Sequence, residues 1–232
     1  MLKDGDRGVI LQRDKQTYGI APNIPCGMCT PEVLRTIAAV AEKYHLAIKL
    51  TSADRIALLG IREEDVDTIW AELGMKQGNV TGICVRSVKV CPGTTFCKRG
   101  QQDSIAIGKI LDEKFHGMPL PGKSKIGASG CVFQCAETNF KDIGLYGTPK
   151  GWTLLAGGIG GGARARIADK LTENLSTEQA LAMIDKLVAF YQANAKPGER
   201  LGRTIERLGL DTIKSALGIS LTPTTPPKPA TA

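Results

Sequence analysis

Four of the seven cysteines fall into two short-spaced pairs, Cys91 with Cys97 in CPGTTFC and Cys131 with Cys135 in CVFQC. Four thiolates delivered by two loops are the usual ligand set of a cubane iron–sulfur cluster. Structural zinc competes for the same residues, but its pairs favour roughly two to four intervening positions, and the first pair here is longer. Buried cysteines that ligate nothing are the third reading. Gly93, Thr94 and Thr95 can turn backbone N–H groups toward inorganic sulfide or a carboxylate, and Gly130 lets the second pair turn tightly. The remaining thiols carry a weaker signal. Cys26 and Cys29 form a C-x-x-C at the start of an expected helix, where a thiol pKa falls and a redox pair can arise; inert structural cysteines are the alternative. Cys84 reads as a single thiol on a buried strand.

Charge narrows the partners. Lys and Arg total 30 against 23 Asp and Glu, a formal +7, which suits an anionic cofactor, an anionic substrate or an acidic redox partner. Nucleic acid is disfavoured, because aromatic residues make up only 5% and none interleave with a basic run to form a stacking platform. No apolar run approaches the ~20 residues of a membrane helix. The start MLKDGDRGVI is too polar for a secretion signal. An odd cysteine count without such a signal argues against a disulfide framework, so a cytoplasmic protein with reduced thiols is expected.

The elements that position these residues follow from pattern. Thr17–Ile24 reads as a strand, and Thr30, Pro31 and Glu32 open a helix as N-cap, first position and first-turn acid. Its apolar face is Val33, Ile37, Val40 and Ala41, and it runs to about Tyr44. Leu46–Leu50 and Arg55–Leu59 read as strands, the second closed by Gly60, and Arg62–Leu73 as a helix. With one further strand, this is the order of a ferredoxin-like α+β unit, assigned to residues 1–76. In a second domain, 77–220, strand Ile83–Val90 delivers the first cysteine pair and strand Lys123–Ser129 the second, with helix Ser104–His116 between them. A hairpin of Asp142–Tyr146 and Trp152–Ala156 leads to GGIGGG; helices over Thr177–Ala193 and Arg200–Ala216 follow. The Pro/Thr-rich 221–232 is expected to be disordered. The glycine run lacks the strand-turn-helix context and later acidic residue of a dinucleotide loop. His45 and His116 follow helices and read as surface or capping residues.

The order of the two cysteine pairs resembles the signature of the sirohaem-dependent sulfite and nitrite reductases. The likeness extends through TSADRIALLGI, GICVRSVKVCPGTTFCKRGQQDS, SGCVFQCAETNFKDIGLYGTPKGW and the glycine run, about residues 20–165, and KPGERLGRTIERLGL is similar to small members. The resemblance implies a 4Fe–4S cluster on Cys91, Cys97, Cys131 and Cys135, with Cys135 also ligating the sirohaem iron. It implies Arg55, Arg86, Lys123 and Lys125 as substrate-facing cations. Lys123 and Lys125 alternate on one strand and so project to one side. Arg55 matches nitrite-reductase-like members, whereas larger sulfite reductases carry an arginine where this chain has Ala53. Candidates for the sirohaem carboxylates are Thr94, Thr95, Asn139, Arg164 and Arg166, with backbone N–H groups over Gly158, Gly160 and Gly161.

The activity so implied is reduction of sulfite to sulfide, with nitrite to ammonia as the runner-up and a non-catalytic iron–sulfur carrier as the alternative from another class. Larger members hold two copies of this fold and this chain one, so a homodimer is expected, with a monomer as the competing arrangement. No stretch resembles a flavin- or nicotinamide-binding domain, so electrons are expected from a separate donor such as a ferredoxin.

Overall fold

The computed structural model describes residues 1–220, and the tail expected to be disordered lies outside the described residues. The first sheet holds β1 (Ile10–Leu11), β2 (Tyr18–Ile20), β3 (Ala47–Leu50) and β4 (Ile56–Ile61) in the order β1-β2-β4-β3, every pair antiparallel. Helices α1 (Pro31–Lys43) and α2 (Val66–Leu73) bury Ile37, Val40, Val66 and Ile69 against Tyr18, Ile20, Leu58 and Ile61. Helix α1 starts where its sequence places it: Pro31 needs no N–H partner, and Thr30 Oγ1 accepts from the Val33 N–H at 3.4 Å.

Two local expectations are corrected here. The strand after α2 does not complete this sheet; β1, ahead of β2, does. Beyond Gly74 the chain makes only an isolated bridge, Gln77 to Pro22, and Pro22 has no N–H with which to extend a ladder. Strand β4 also runs through Gly60 to Ile61 rather than stopping there.

The second sheet runs β5 (Val85–Val90), β6 (Ser124–Ser129), β7 (Ile143–Thr148), β8 (Gly151–Ala156) and β9 (Asp169–Leu175) in that spatial order. The first three are parallel and the last two pair antiparallel. After the single turn α3 (Gly93–Phe96), helix α4 (Ser104–Phe115) forms the β5-to-β6 crossover. Its cap is Asp103, whose carboxylate accepts from the Ile105 and Ala106 N–H groups at 3.1 and 3.0 Å. Helix α5 (Thr177–Asn194) opens with a capping box of Ser176 and Gln179 and lies on β8 and β9. The core joins Ile107, Leu111 and Phe115 of α4 and Ile184 and Leu187 of α5 to Ile126, Leu145, Trp152 and Leu154. Each such side chain contributes about 1.5–3 kcal/mol by leaving water.

Strand β9 escaped the sequence pattern because DKLTENL is an edge strand that fully buries only Leu171. The single helix expected over 200–216 is two helices, α6 (Leu201–Leu208) and α7 (Leu210–Ala216). Gly209 breaks it at φ 86° and ψ 142°, a conformation glycine adopts without Cβ strain. GGIGGG leads into β9 and not into a helix, in keeping with the rejected dinucleotide reading. Among the described residues no helix is long and apolar enough to cross a membrane.

Candidate metal and anion site

Parallel pairing sets the C-terminal ends of β5 and β6 side by side, Val90 opposite Ala128, so both cysteine turns leave the same edge of the sheet. The Cys91 N–H donates to the Ala128 carbonyl at 3.2 Å. The N–H groups of Gln101 and Gln102 donate to the Gly130 carbonyl at 2.7 and 3.0 Å, pinning the end of the first turn to the start of the second. Within the second turn, the Gln134 N–H reaches the Cys131 carbonyl at 3.2 Å and the Ala136 N–H reaches Ser129 Oγ at 3.0 Å. All four cysteines are free thiols: Cys131 is buried, Cys91 and Cys97 are half-buried, and Cys135 is exposed. Among the described residues no three Cys, His, Asp or Glu side chains converge tightly enough for one metal ion.

Cys26, Cys29 and Cys91 line one cavity of about 400 Å³. The lowered thiol pKa expected of the C-x-x-C is not found at Cys26: burial first, and Asp112 next, push it up to about 12. Cys84 is buried, as its pattern indicates, and burial raises its pKa too.

Arg55, Arg86 and the Lys123–Lys125 stretch come from three separate parts of the chain, and the fold gathers them around one cavity of about 450 Å³, with Arg13 and Ala53. Arg55 is buried, and its Nη2 has no hydrogen-bond partner. Arg86 is aimed by two backbone carbonyls, donating from Nε to Gly82 at 3.0 Å and from Nη1 to Val80 at 3.1 Å. Lys123 and Lys125 also line an adjoining groove of about 750 Å³, together with Lys89, Lys141, Arg200, Glu137 and Gly160 to Gly162. Burial pulls both lysines below the usual ammonium range, seconded by Arg86 at Lys123 and by Lys123 at Lys125. Burial likewise lowers Arg55, with Arg86 next.

The remaining candidates divide. Gly160 and Gly161 line the groove. The Gly158 N–H is spent on the Lys141 carbonyl at 2.8 Å, and the Thr94 N–H lies 3.3 Å from the Gln102 carbonyl. Thr95 Oγ1 donates to Asp103 at 3.3 Å. Asn139 is half-buried, its carbonyl accepting from the Ala168 N–H at 2.8 Å. Arg164 pairs with Glu206 at 3.5 Å, and Arg166 pairs with Asp169 and Glu206 while donating to the Gly157 carbonyl. Pattern reading missed Arg13, Lys89, Lys141 and Arg200. Lys141 had a usable signal, six residues beyond Cys135 and next to a strand; Arg200 had none, because its approach to the groove is a long-range contact. His116 caps the end of α4, but its Nε2 is buried without a partner, so it is not a surface residue.

Residues 10–76 match the nitrite/sulfite reductase ferredoxin-like half domain, and residues 81–223 match the nitrite and sulphite reductase 4Fe-4S domain. The chain belongs to the nitrite and sulphite reductase family. It is 44% identical over 217 residues to the assimilatory-type sulfite reductase of Nitratidesulfovibrio vulgaris, covering 93% of this chain and 99% of that one. It is 37% identical over 208 residues to the NAD(P)H nitrite reductase of Bacillus subtilis, covering 89% of this chain but only 26% of that protein. Dissimilatory sulfite reductase I superposes with a TM-score of 0.80 at 16% identity, over 93% of this chain and 72% of that one. The NirA protein of Mycobacterium tuberculosis superposes at 0.74 with 18% identity, over 87% and 39%. These two likenesses establish the α+β fold.

A 4Fe-4S domain implies a cluster, and the residues present suit one. Four free thiols sit on two mutually bonded turns, and the glycine at the junction allows the close approach. The neighbouring cavities suit a polyanion: Glu137 is the single acidic residue against Arg13, Arg55, Arg86, Lys89, Lys123, Lys125, Lys141 and Arg200 in their walls, and the buried Arg55 Nη2 has no partner among the described residues.

Proposed function

We propose that this chain is a sirohaem-dependent sulfite reductase that carries sulfite to sulfide with six electrons and six protons. The supporting observation is the convergence of Arg55, Arg86, Lys123 and Lys125 on one cavity that opens into the larger cationic groove. Cys91, Cys97, Cys131 and Cys135 would hold the 4Fe–4S cluster, and Cys135, the exposed member, would also ligate the sirohaem iron. The cations of the groove would receive the carboxylates of the tetrapyrrole. When bound, the coupled centre supplies electrons one at a time and an open iron position for the anion.

The chain's own residues account for binding and protons. Arg55 offers an unpartnered donor in a buried setting, where a hydrogen bond to an anion is strong. Arg86, braced by two carbonyls, holds its remaining N–H groups in a fixed direction. Lys123 and Lys125, lowered by burial, give up a proton to a bound oxyanion more readily than a solvated lysine does. The open groove lets solvent replace each proton.

Sulfite is favoured because the Nitratidesulfovibrio relative, matched over nearly its whole length, is named a sulfite reductase. Reduction of nitrite to ammonia is the second reading: Ala53, which lines both cavities, stands where the larger sulfite reductases carry an arginine. Steady-state assays with reduced viologen and each anion test the choice. A higher kcat/KM for sulfite is expected, and a markedly higher value for nitrite would reverse the assignment. An anaerobically purified protein with a cluster shoulder but no Soret band would make it an electron carrier instead. Within the same reading, electrons come from a separate cytoplasmic carrier such as a ferredoxin. Pairing of two chains, so that Lys123 and Lys125 of one approach the haem of the other, competes with a monomer whose own lysines face its own haem, and the gathering of all four cations within one chain favours the monomer; light scattering on haem-loaded, active protein decides between them.

A further inference from the structure

We propose that Arg200 is a carboxylate-binding residue of the 750 Å³ groove and that Asp142 positions it. The inference rests on the tetrapyrrole reading of that groove. Asp142 is fully buried, one residue ahead of β7, and Arg200 is the cap of α6. The guanidinium donates from Nε to Oδ1 at 3.0 Å and from Nη2 to Oδ2 at 2.7 Å, a side-on pair spanning 58 residues. A third donor, the backbone N–H of Lys125, reaches Oδ2 at 2.8 Å. One buried carboxylate thus fixes both the pose of Arg200 and the strand that carries Lys125.

The geometry leaves half of the fork unused. A guanidinium has five N–H donors; Asp142 takes one edge, and among the described residues nothing bonds to Nη1. The Nη1–Nη2 edge therefore remains available, and the side chain lines the groove with Lys123 and Lys125. The Asp142–Arg200 pair is nearly neutral, so Arg200 adds little net field. Its contribution is direction: two parallel N–H groups held rigidly in one plane. A carboxylate is planar and accepts from both at once. Two oxygens of sulfite can accept from that edge as well, so the choice between cofactor and substrate rests on the sulfite arm of the test. The lysines, mobile point charges, supply the field.

The test titrates the full ligand-free chain with uroporphyrin, which carries eight carboxylates, and with mesoporphyrin, which carries two, reading fluorescence. Sulfite binding to the haem-loaded protein is read from its visible spectrum. Arg200→Lys keeps the charge and removes the planar fork. The paired change Asp142→Asn with Arg200→Gln keeps a neutral hydrogen-bonded couple should the single variant fold poorly, and circular dichroism monitors folding of each. The dissociation constant for uroporphyrin should rise about tenfold, with a much smaller change for mesoporphyrin and for sulfite. A merely structural role weakens both porphyrins alike and overturns the proposal, as does unchanged uroporphyrin affinity in folded variants. Selective loss of sulfite affinity also overturns it, by reassigning Arg200 to the substrate. A parent chain that binds neither porphyrin removes the tetrapyrrole reading itself, a result distinct from failure of the variants alone.

Discussion

The backbone N–H of Gly130 donates to Cys91 Sγ at 3.1 Å, across 39 positions of chain. Ser104 backs the same cysteine, donating from Oγ to its carbonyl at 2.7 Å. The two cysteine turns are thus bonded to each other before any metal is considered. Spacing between the pairs is set by the β5–β6 ladder and by helix α4, not by the loops.

That closeness gives the first expectation. A Cβ on Gly130 would stand 2.7 Å from Gly93 Cα and 2.8 Å from the Gln102 carbonyl, both backbone atoms with no room to yield. Gly130→Ala should destabilise the chain by about 1–3 kcal/mol and depress its iron content. Chemical denaturation and metal analysis check this; a variant with normal stability and iron would contradict the packing described.

Arg55→Met separates stability from function. The parent buries a guanidinium with an unpartnered nitrogen, while methionine fills similar space without charge. The ligand-free variant should gain about 1 kcal/mol in urea denaturation, while kcat/KM for sulfite should fall about a hundredfold or more. A less stable variant would mean that Arg55 serves the fold rather than the anion.

Glu199 supplies the pH dependence. Hydrogen bonds from Arg207 Nε and Nη2 at 2.9 and 2.7 Å, foremost among the causes, bring its pKa from an ordinary 4.5 to about 2. The folded value lies below the unfolded one, so the stabilisation is complete above pH 4.5 and is lost as pH falls toward 2. Glu199→Gln should cost about 0.5–1 kcal/mol at neutral pH, the modest value of a solvent-screened pair. Acid titrations of parent and variant should then converge across that window; a gap that persists at its acid end would assign the loss to something other than ionisation.

The proposed function assigns the cysteines different roles, which serine replacement tests. Cys91→Ser should abolish iron retention, and Cys135→Ser should alter the optical and redox behaviour of the haem. Cys84→Ser, a buried thiol remote in role, should leave both as in the parent. Anaerobic purification with iron analysis and visible spectra reads all three; an unaffected Cys135→Ser protein would remove that residue from the centre.

What was legible in the sequence was local. Thr30 and Pro31 announce α1 because a cap acts on its own first turn, and the cysteine pairs announce their turns because each closes within seven residues or fewer. Alternation put Lys123 and Lys125 on one side, and both line the same two cavities. Contacts over long separations left no trace. Nothing in KDIGLYG or PGERLGR indicates that Asp142 and Arg200 meet, nor does sequence reveal that Lys89 reaches the Ser52 carbonyl at 3.2 Å. Charged edge strand β9 hid because solvent on its open side removes the apolar alternation that pattern reading needs. Pattern gives no sign that β1 rather than the chain past Gly74 completes the first sheet, because β1 is only two residues long.

Cys91 and Cys131 lie on either side of an entire crossover, and Val90 meets Ala128 only after that segment has wound back alongside β5. A slip of one residue there would move a sulfur by about 3.3 Å. Iron capture on all four thiols and the correct pairing of these strands are therefore coupled. A variant whose strands pair out of alignment would separate the two thiol pairs, so its iron content would report on the register of the sheet.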